Sequence, residues 1–280
     1  MSYLISVNQL KNRLQNPEYH TVIVDVRFQL DDPEAGRNLY AKDHLPGAVY
    51  MDLDKELSGK KEKHGGNHPL PDTKRLAAKL GQIGIDNQTT VIIYDQSNDM
   101  FAARMWWLLY YLGHENVYVL DGGYEQWVID GNKVTDEAPQ PETKTYHPAI
   151  RTGEKADIDE VKEKLEDQSA HLIDSRSKNR YLGKVEPMYR KAGHIPGAKN
   201  YFWKEVLADN GAWKNPEELK SHFGHLKQDE EIIVSCGSGV SACPNILALK
   251  LAGFENVKLY PGSFSDWISY DENKVETKEE

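Results

Sequence analysis

The sequence predicts an α/β protein made of two tandem copies of one domain, each a mainly parallel sheet flanked by helices. Three observations point there. Blocks of sequence recur once and in the same order, and short β-branched runs alternate with amphipathic stretches. The length of 280 residues suits two domains at ~100–200 residues each.

The recurrence governs how every other feature is read. Residues 22–27 read VIVDVR and residues 171–176 read HLIDSR. HLPGA at 44–48 returns as HIPGA at 194–198, and VIIYDQS at 91–97 returns as IIVSCGS at 232–238. GHENVYVLDGGYEQW at 113–127 returns as GFENVKLYPGSFSDW at 253–267. The second member of each pair lies 140 to 150 residues after the first, too long a period for a solenoid. Between the copies, residues 131–148 are polar and proline-bearing with no apolar period, the composition of a connector. The first domain is placed at 1–135, a linker at 136–149 and the second domain at 150–280, its tail from Asn273 onward expected to fray.

Within each copy the elements follow from local pattern. The runs at 21–26, 90–95 and 116–121 are β-branched and of strand length, and the stretches at 73–81 and 100–113 have helical spacing. In the second copy the strands are 171–174, 231–235 and 256–260, and the helices include 157–165 and 242–252. Strands alternating with helices imply a parallel sheet covered on both faces. Sites in such folds gather at the carboxyl ends of strands.

Composition narrows the function. There are 34 basic against 44 acidic residues, a net charge of -10, so a nucleic-acid partner is not expected. No basic region followed by an apolar core opens the chain, and no run approaches the ~18 apolar residues of a membrane span; neither a signal peptide nor a membrane partner is expected. The two cysteines, Cys236 and Cys243, make no disulfide framework. Without a CxxC or a histidine pair they make no metal site either, and no metal or organic cofactor is expected. Scarce cysteine fits a reducing compartment, here the cytoplasm.

The copies differ where the central strand ends. The first has Asp95 there and the second has Cys236. Residues 236–241, CGSGVS, form a short loop running into the helix near Ala242. Gly237 and Gly239 permit backbone angles that other residues resist, so the loop's N–H groups can turn toward the sulfur. The helix N-terminus adds partial positive charge, and both effects favour the reactive thiolate. Cys243, on the inner face of that helix, reads as a buried small hydrophobe. His44 and His194, in the HxPGA turns, read as structural.

These residues resemble the rhodanese superfamily in its tandem form, and the strand ends, the HxPGA segments and the cysteine loop carry the resemblance over nearly the whole chain. In that family the first copy has lost its cysteine, often to Asp, as Asp95 fits. The loop is similar to that of 3-mercaptopyruvate sulfurtransferases, with Ser241 where Thr is usual. Thiosulfate sulfurtransferases carry basic residues just after the cysteine, where this chain has Gly237 and Ser238. The resemblance implies a persulfide on Cys236, sulfur taken from 3-mercaptopyruvate with release of pyruvate, and a thiol acceptor such as thioredoxin, or cyanide. It implies a monomer. It assigns substrate binding to Arg180, in DSRSKNRYLG, to Arg190, in EPMYR, with Arg176 as the other candidate for the second role, and to Gly237, Gly239 and Val240 of the loop, and it assigns Ser241 a catalytic hydroxyl. It implies a relay of Ser238, His68 and Asp54, with His64 as a competitor for His68. Thiosulfate:cyanide transfer is the alternative. A phosphatase of the C-x5-R kind is disfavoured because position 242 is Ala. A silent binding module is disfavoured by the cysteine, and a redox sensor would need Cys236 and Cys243 to converge.

Overall fold

In the first unit a central strand, β4 (Thr90–Tyr94), is buried along its whole length, as its TVIIY sequence requires. The computed structural model describes residues 2–16 and 20–278. The first unit comprises β1 (Leu4–Ile5), α1 (Val7–Leu14), β2 (Thr21–Asp25), α2 (Ala35–Lys42), β3 (Ala48–Tyr50), α3 (Thr73–Gln82), β4, α4 (Met100–Tyr111), β5 (Val117–Leu120) and α5 (Gly123–Ile129). Its five strands run in the order β1-β5-β4-β2-β3, every neighbour parallel. Helix α4 is apolar apart from Arg104 and is accordingly buried against β4 and β5. Its N-terminus is capped by the Asp99 side chain.

The second unit repeats the plan with α6 (Ile158–Glu166), β6 (Ala170–Asp174), α7 (Lys178–Tyr181), β7 (Lys199–Asn200), α8 (Pro216–His222), β8 (Glu231–Ser235), α9 (Cys243–Leu251), β9 (Val257–Leu259) and α10 (Ser263–Trp267). Its sheet order is β7-β6-β8-β9, again all parallel. Asn215 and Glu218 form a reciprocal capping box on α8, with Pro216 at its first turn.

The duplication extends to single hydrogen bonds. His44 bonds Tyr40 O through Nδ1 at 2.7 Å and stacks on the Tyr40 ring. His194 does the same with Tyr181, at 2.8 Å. Both imidazoles are buried and both lock the turn before a strand. Trp127 Nε1 donates to Lys133 O and Trp267 Nε1 to Lys274 O, each at 2.8 Å.

The tail is held rather than frayed. Glu276 and His194 exchange backbone hydrogen bonds of 2.8 and 3.0 Å, and Asn273 is buried with its amide on Trp267 O. Residues 279–280, the end of the stretch expected to fray, lie outside the described residues. The expected linker is also bound: Lys144 donates its N–H to Gly81 O and Ala149 to Leu112 O, and Tyr146 is buried. Two short segments join the opposite half of the sequence. Residues 60–70 belong to the second unit and residues 209–213 to the first. Among the described residues no helix is long and apolar enough to cross a membrane.

Candidate active site

All strands of the second sheet run the same way, so β6 and β8 end together, at Asp174 and Ser235. There the chain leaves the sheet at Cys236, which is buried. Gly239 sits at φ +80, and a Cβ there would lie 2.3 Å from Pro261 O; only glycine fits. This conformation points the Gly239 N–H at Cys236 Sγ, 3.1 Å away. The loop is clamped by the first turn of α10. Cys236 donates its N–H to Ser263 Oγ at 3.0 Å, its carbonyl accepts from Phe264 N, and the Gly237 carbonyl accepts from Ser265 N. The Val240 carbonyl accepts from Cys243 N at 3.0 Å, and the Val240 side chain is buried. Cys243 opens α9, buried, with Sγ on Gly239 O. Neither cysteine is in a disulfide.

Ser263 was not legible as a site residue. Its hydroxyl donates to Tyr260 O at 2.8 Å and lies 3.9 Å from Cys236 Sγ. It holds φ +53, a left-handed angle that serine resists, where the first unit has Gly123 at φ +58. The signal was present in the pairing of DGGY with PGSF.

The segment 60–70 brings a histidine to this loop. His64 Nδ1 bonds Ser269 Oγ at 2.7 Å and its ring stacks on Tyr270. Gly65 N donates to Asp266 Oδ1 and Asn67 N to Ser265 Oγ. Pinned at these points, the chain carries His68 Nδ1 to 2.8 Å from Ser238 Oγ. Of the two candidate histidines, His68 therefore meets Ser238 and His64 is committed elsewhere. Ser241 is half-buried. Asp54 lies in the first unit, in the turn after β3, with its N–H on Asp52 Oδ1; partial burial and the neighbouring Asp52 raise its pKa.

The arginines sort by burial. Arg176 is buried and bonds Asp174 through Nε, Glu186 through Nη1 and Gly193 O through Nη2. Burial works against its charge, but Asp174, Glu186 and Cys236 hold it protonated. Arg27 and Asp25 repeat this fork in the first unit, so Arg176 is a framework residue. Arg180, at the end of α7, pairs with Glu186 at 2.8 Å, its side chain 21% exposed, and its guanidinium lies 5.2 Å from the Tyr189 ring centre. Arg190 is more exposed and reaches Ile268 O at 2.7 Å and Asp271 at 2.8 Å. Tyr189 and Glu186 were also missed from sequence. The Tyr189 hydroxyl stands 2.6 Å from where a Cβ on Gly237 would be; burial first, then the charge of Cys236, raise its pKa. This stretch has no counterpart among the repeated blocks, so no comparison with the first copy marked it.

In the first unit Asp95 takes the cysteine's place. Its carboxylate accepts the N–H groups of Asp99 and Ala102, each at 2.9 Å, and Asn98 holds φ +58 where the second loop has Gly239. Burial, then the charge of Asp99, push Asp95 up to about 8.

A buried cysteine thus sits at a strand end of the second of two like units, in a loop that donates an N–H to its sulfur. The rhodanese-like domain model matches residues 6–130 and again 157–270, and the chain belongs to that family. It is 37% identical over 279 residues, 98% of each chain, to a probable 3-mercaptopyruvate sulfurtransferase of Pseudomonas aeruginosa. It is 33% identical over 253 residues, 88% of this chain and 84% of the other, to the thiosulfate sulfurtransferase of Bos taurus. The crystal structure of SseA from Escherichia coli, described with the rhodanese fold of 3-mercaptopyruvate sulfotransferases, superposes with a TM-score of 0.83 at 31% identity, covering 95% of this chain and 100% of that one.

Proposed function

We propose that this chain is a sulfurtransferase that takes sulfur from 3-mercaptopyruvate onto Cys236 and passes it from the resulting persulfide to a thiol or to cyanide. The observation that carries this reading is the uncharged cysteine loop, with the Gly239 N–H 3.1 Å from Sγ and the Ser238–His68 pair beside it.

Cys236 thiolate attacks the substrate sulfur. The C–S bond breaks, its electron pair enters an enolate, and protonation gives pyruvate. The Gly239 N–H stabilises charge on the cysteine sulfur as it changes partners, and His68 moves a proton through Ser238. Arg180 holds the substrate carboxylate, with Arg190 as second ligand; a guanidinium fork suits that group. Asp54 enters from the sequence resemblance, as the carboxylate assigned to this relay, and Asp54→Asn tests it. An acceptor then removes the outer sulfur, which makes the cycle ping-pong. Two cysteines and no disulfide between them suit a reducing compartment, and we place the enzyme in the cytoplasm.

Relatives named thiosulfate sulfurtransferase favour a second reading, thiosulfate as donor. A small dianion is best met by a cation beside the nucleophile, and positions 237 and 238 supply none. Steady-state rates with each donor against cyanide, for the wild type and Cys236→Ser, decide. A preference for mercaptopyruvate that vanishes in the variant, with a mass gain of one sulfur on the Cys236 peptide after donor alone, is the expected result. A preference for thiosulfate would retain the persulfide and overturn the donor; unchanged activity in the variant would overturn the whole reading.

A further inference from the structure

We propose that a groove beside the cysteine loop is the docking surface for the sulfur acceptor, and that this acceptor is an acidic protein presenting a reactive thiol next to apolar surface. The proposal rests on the persulfide reading above. The groove, about 400 Å³ in volume, is lined by Lys61, Lys63, Met188, Tyr189, Arg190 and Ser265 among others. Two of these residues touch the loop that holds the nucleophile. Ser265 donates its N–H to Gly237 O at 2.9 Å, and the Tyr189 hydroxyl packs against Gly237. On another wall Asn67 precedes His68, the partner of Ser238.

Charge and polarity set the occupant. The chain carries a net charge of -10, yet this groove gathers three cations. Arg190 is partly offset by Asp271, and Glu62 lies between the lysines in sequence. Lys61 and Lys63 form no ion pair among the described residues, and both are exposed. A local excess of positive charge beside this loop steers an anionic partner toward it. The same stretch exposes Met188 at 50% and Val185 at 53%. Solvated apolar side chains rimmed by cations suit a protein surface, since a small anion makes no use of them. The acceptor thiol, deprotonated in solution, attacks the outer sulfur of the Cys236 persulfide. A sulfur–sulfur bond forms to the acceptor, and the bond to Cys236 breaks with its electron pair returning to the thiolate.

The test is Lys61→Glu with Lys63→Glu in one chain, assayed with reduced thioredoxin of net negative charge, with glutathione, with cyanide, and for the pyruvate released from mercaptopyruvate in a single turnover. kcat/KM toward thioredoxin falls about tenfold and loses most of its dependence on salt, while the other three rates stay within about twofold of wild type. An equal fall with glutathione overturns the protein as occupant, and an equal fall with cyanide or in pyruvate release assigns the groove to the donor. No fall with thioredoxin removes the groove from the reaction. A wild-type protein that releases no pyruvate fails at the earlier reading, separately from these outcomes.

Discussion

A histidine that relays a proton needs one ring nitrogen on the group it serves, whereas a histidine that anchors a loop spends its nitrogens on the framework. His68 and His64, four positions apart, divide along that line. His68 Nδ1 lies 2.8 Å from Ser238 Oγ, two residues after Cys236. His64 Nδ1 lies 2.7 Å from Ser269 Oγ, and its ring stacks on Tyr270 at 4.1 Å. His68→Gln therefore lowers kcat with mercaptopyruvate about a hundredfold, within the usual worth of general acid–base catalysis. His64→Gln leaves kcat within about twofold and costs roughly 1 kcal/mol of stability for one lost hydrogen bond. Rates and urea midpoints of the two variants check the pair, and a large kcat loss in the His64 variant would reverse the assignment. At this scale the sequence was informative wherever a chemistry-bearing residue sat inside a repeated block, as Cys236 and Asp95 do. Ser263 is marked only faintly, by a serine standing where the first copy has glycine, because its duty rests on backbone angle, and the sequence is silent on the stretch with no counterpart in the other copy, as at Glu186 and Tyr189.

Elements held by side-chain pattern were legible, and elements held by backbone bonds were not. The strands and the long helices announce themselves through apolar spacing. The stretch 136–149 looks like a linker because its hold on the first unit runs through main-chain groups, which leave no residue signature: Lys144 N on Gly81 O, Ala149 N on Leu112 O. The tail was misjudged for a similar reason, although NKV at 132–134 recurs at 273–275 and both copies bond a buried tryptophan. One side-chain anchor of the 136–149 stretch can be tested by pH. Lys144 pairs with Asp86 at 3.0 Å, and Asp86 also accepts from the Thr89 hydroxyl at 2.7 Å. The Thr89 hydrogen bond first, then Lys144, draw Asp86 down to about 2. The folded protein thus binds fewer protons there than the unfolded chain between about pH 4 and 2. The stabilisation is present above the ordinary carboxylate pKa and is lost as pH falls through the folded value. Because the pair is partly solvated, its worth is about 1 kcal/mol. Asp86→Asn lowers stability by about that amount at neutral pH, and the gap to wild type narrows by pH 3 in urea titrations. A gap of equal size at both pH values would assign the loss to packing instead of charge.

Over the whole molecule, duplication has kept the backbone of one loop in both units while the side chains around it differ. The first loop keeps the strand end, the left-handed third residue in Asn98, and N–H groups aimed at the side chain of position 95. What differs is electrostatic. The second loop surrounds its sulfur with glycine and serine, has Ser263 where the first has Gly123, and receives His68 on the segment 60–70. In the first, burial, which Cys236 shares, and then the charge of Asp99, which has no counterpart at Val240, push Asp95 up to about 8. A field that disfavours a carboxylate there disfavours a thiolate by the same Coulomb and burial costs. Asp95→Cys in a Cys236→Ser background therefore restores less than about 1% of sulfur transfer. Its new thiol is alkylated by iodoacetamide at neutral pH at least about tenfold more slowly than Cys236 of the wild type, since the thiolate is the reacting form. Peptide mass spectra separate that thiol from Cys243. If instead it alkylates as fast as Cys236, backbone shape alone activates a cysteine in this fold, and the neutral loop, Ser263 and His68 serve the later steps of transfer.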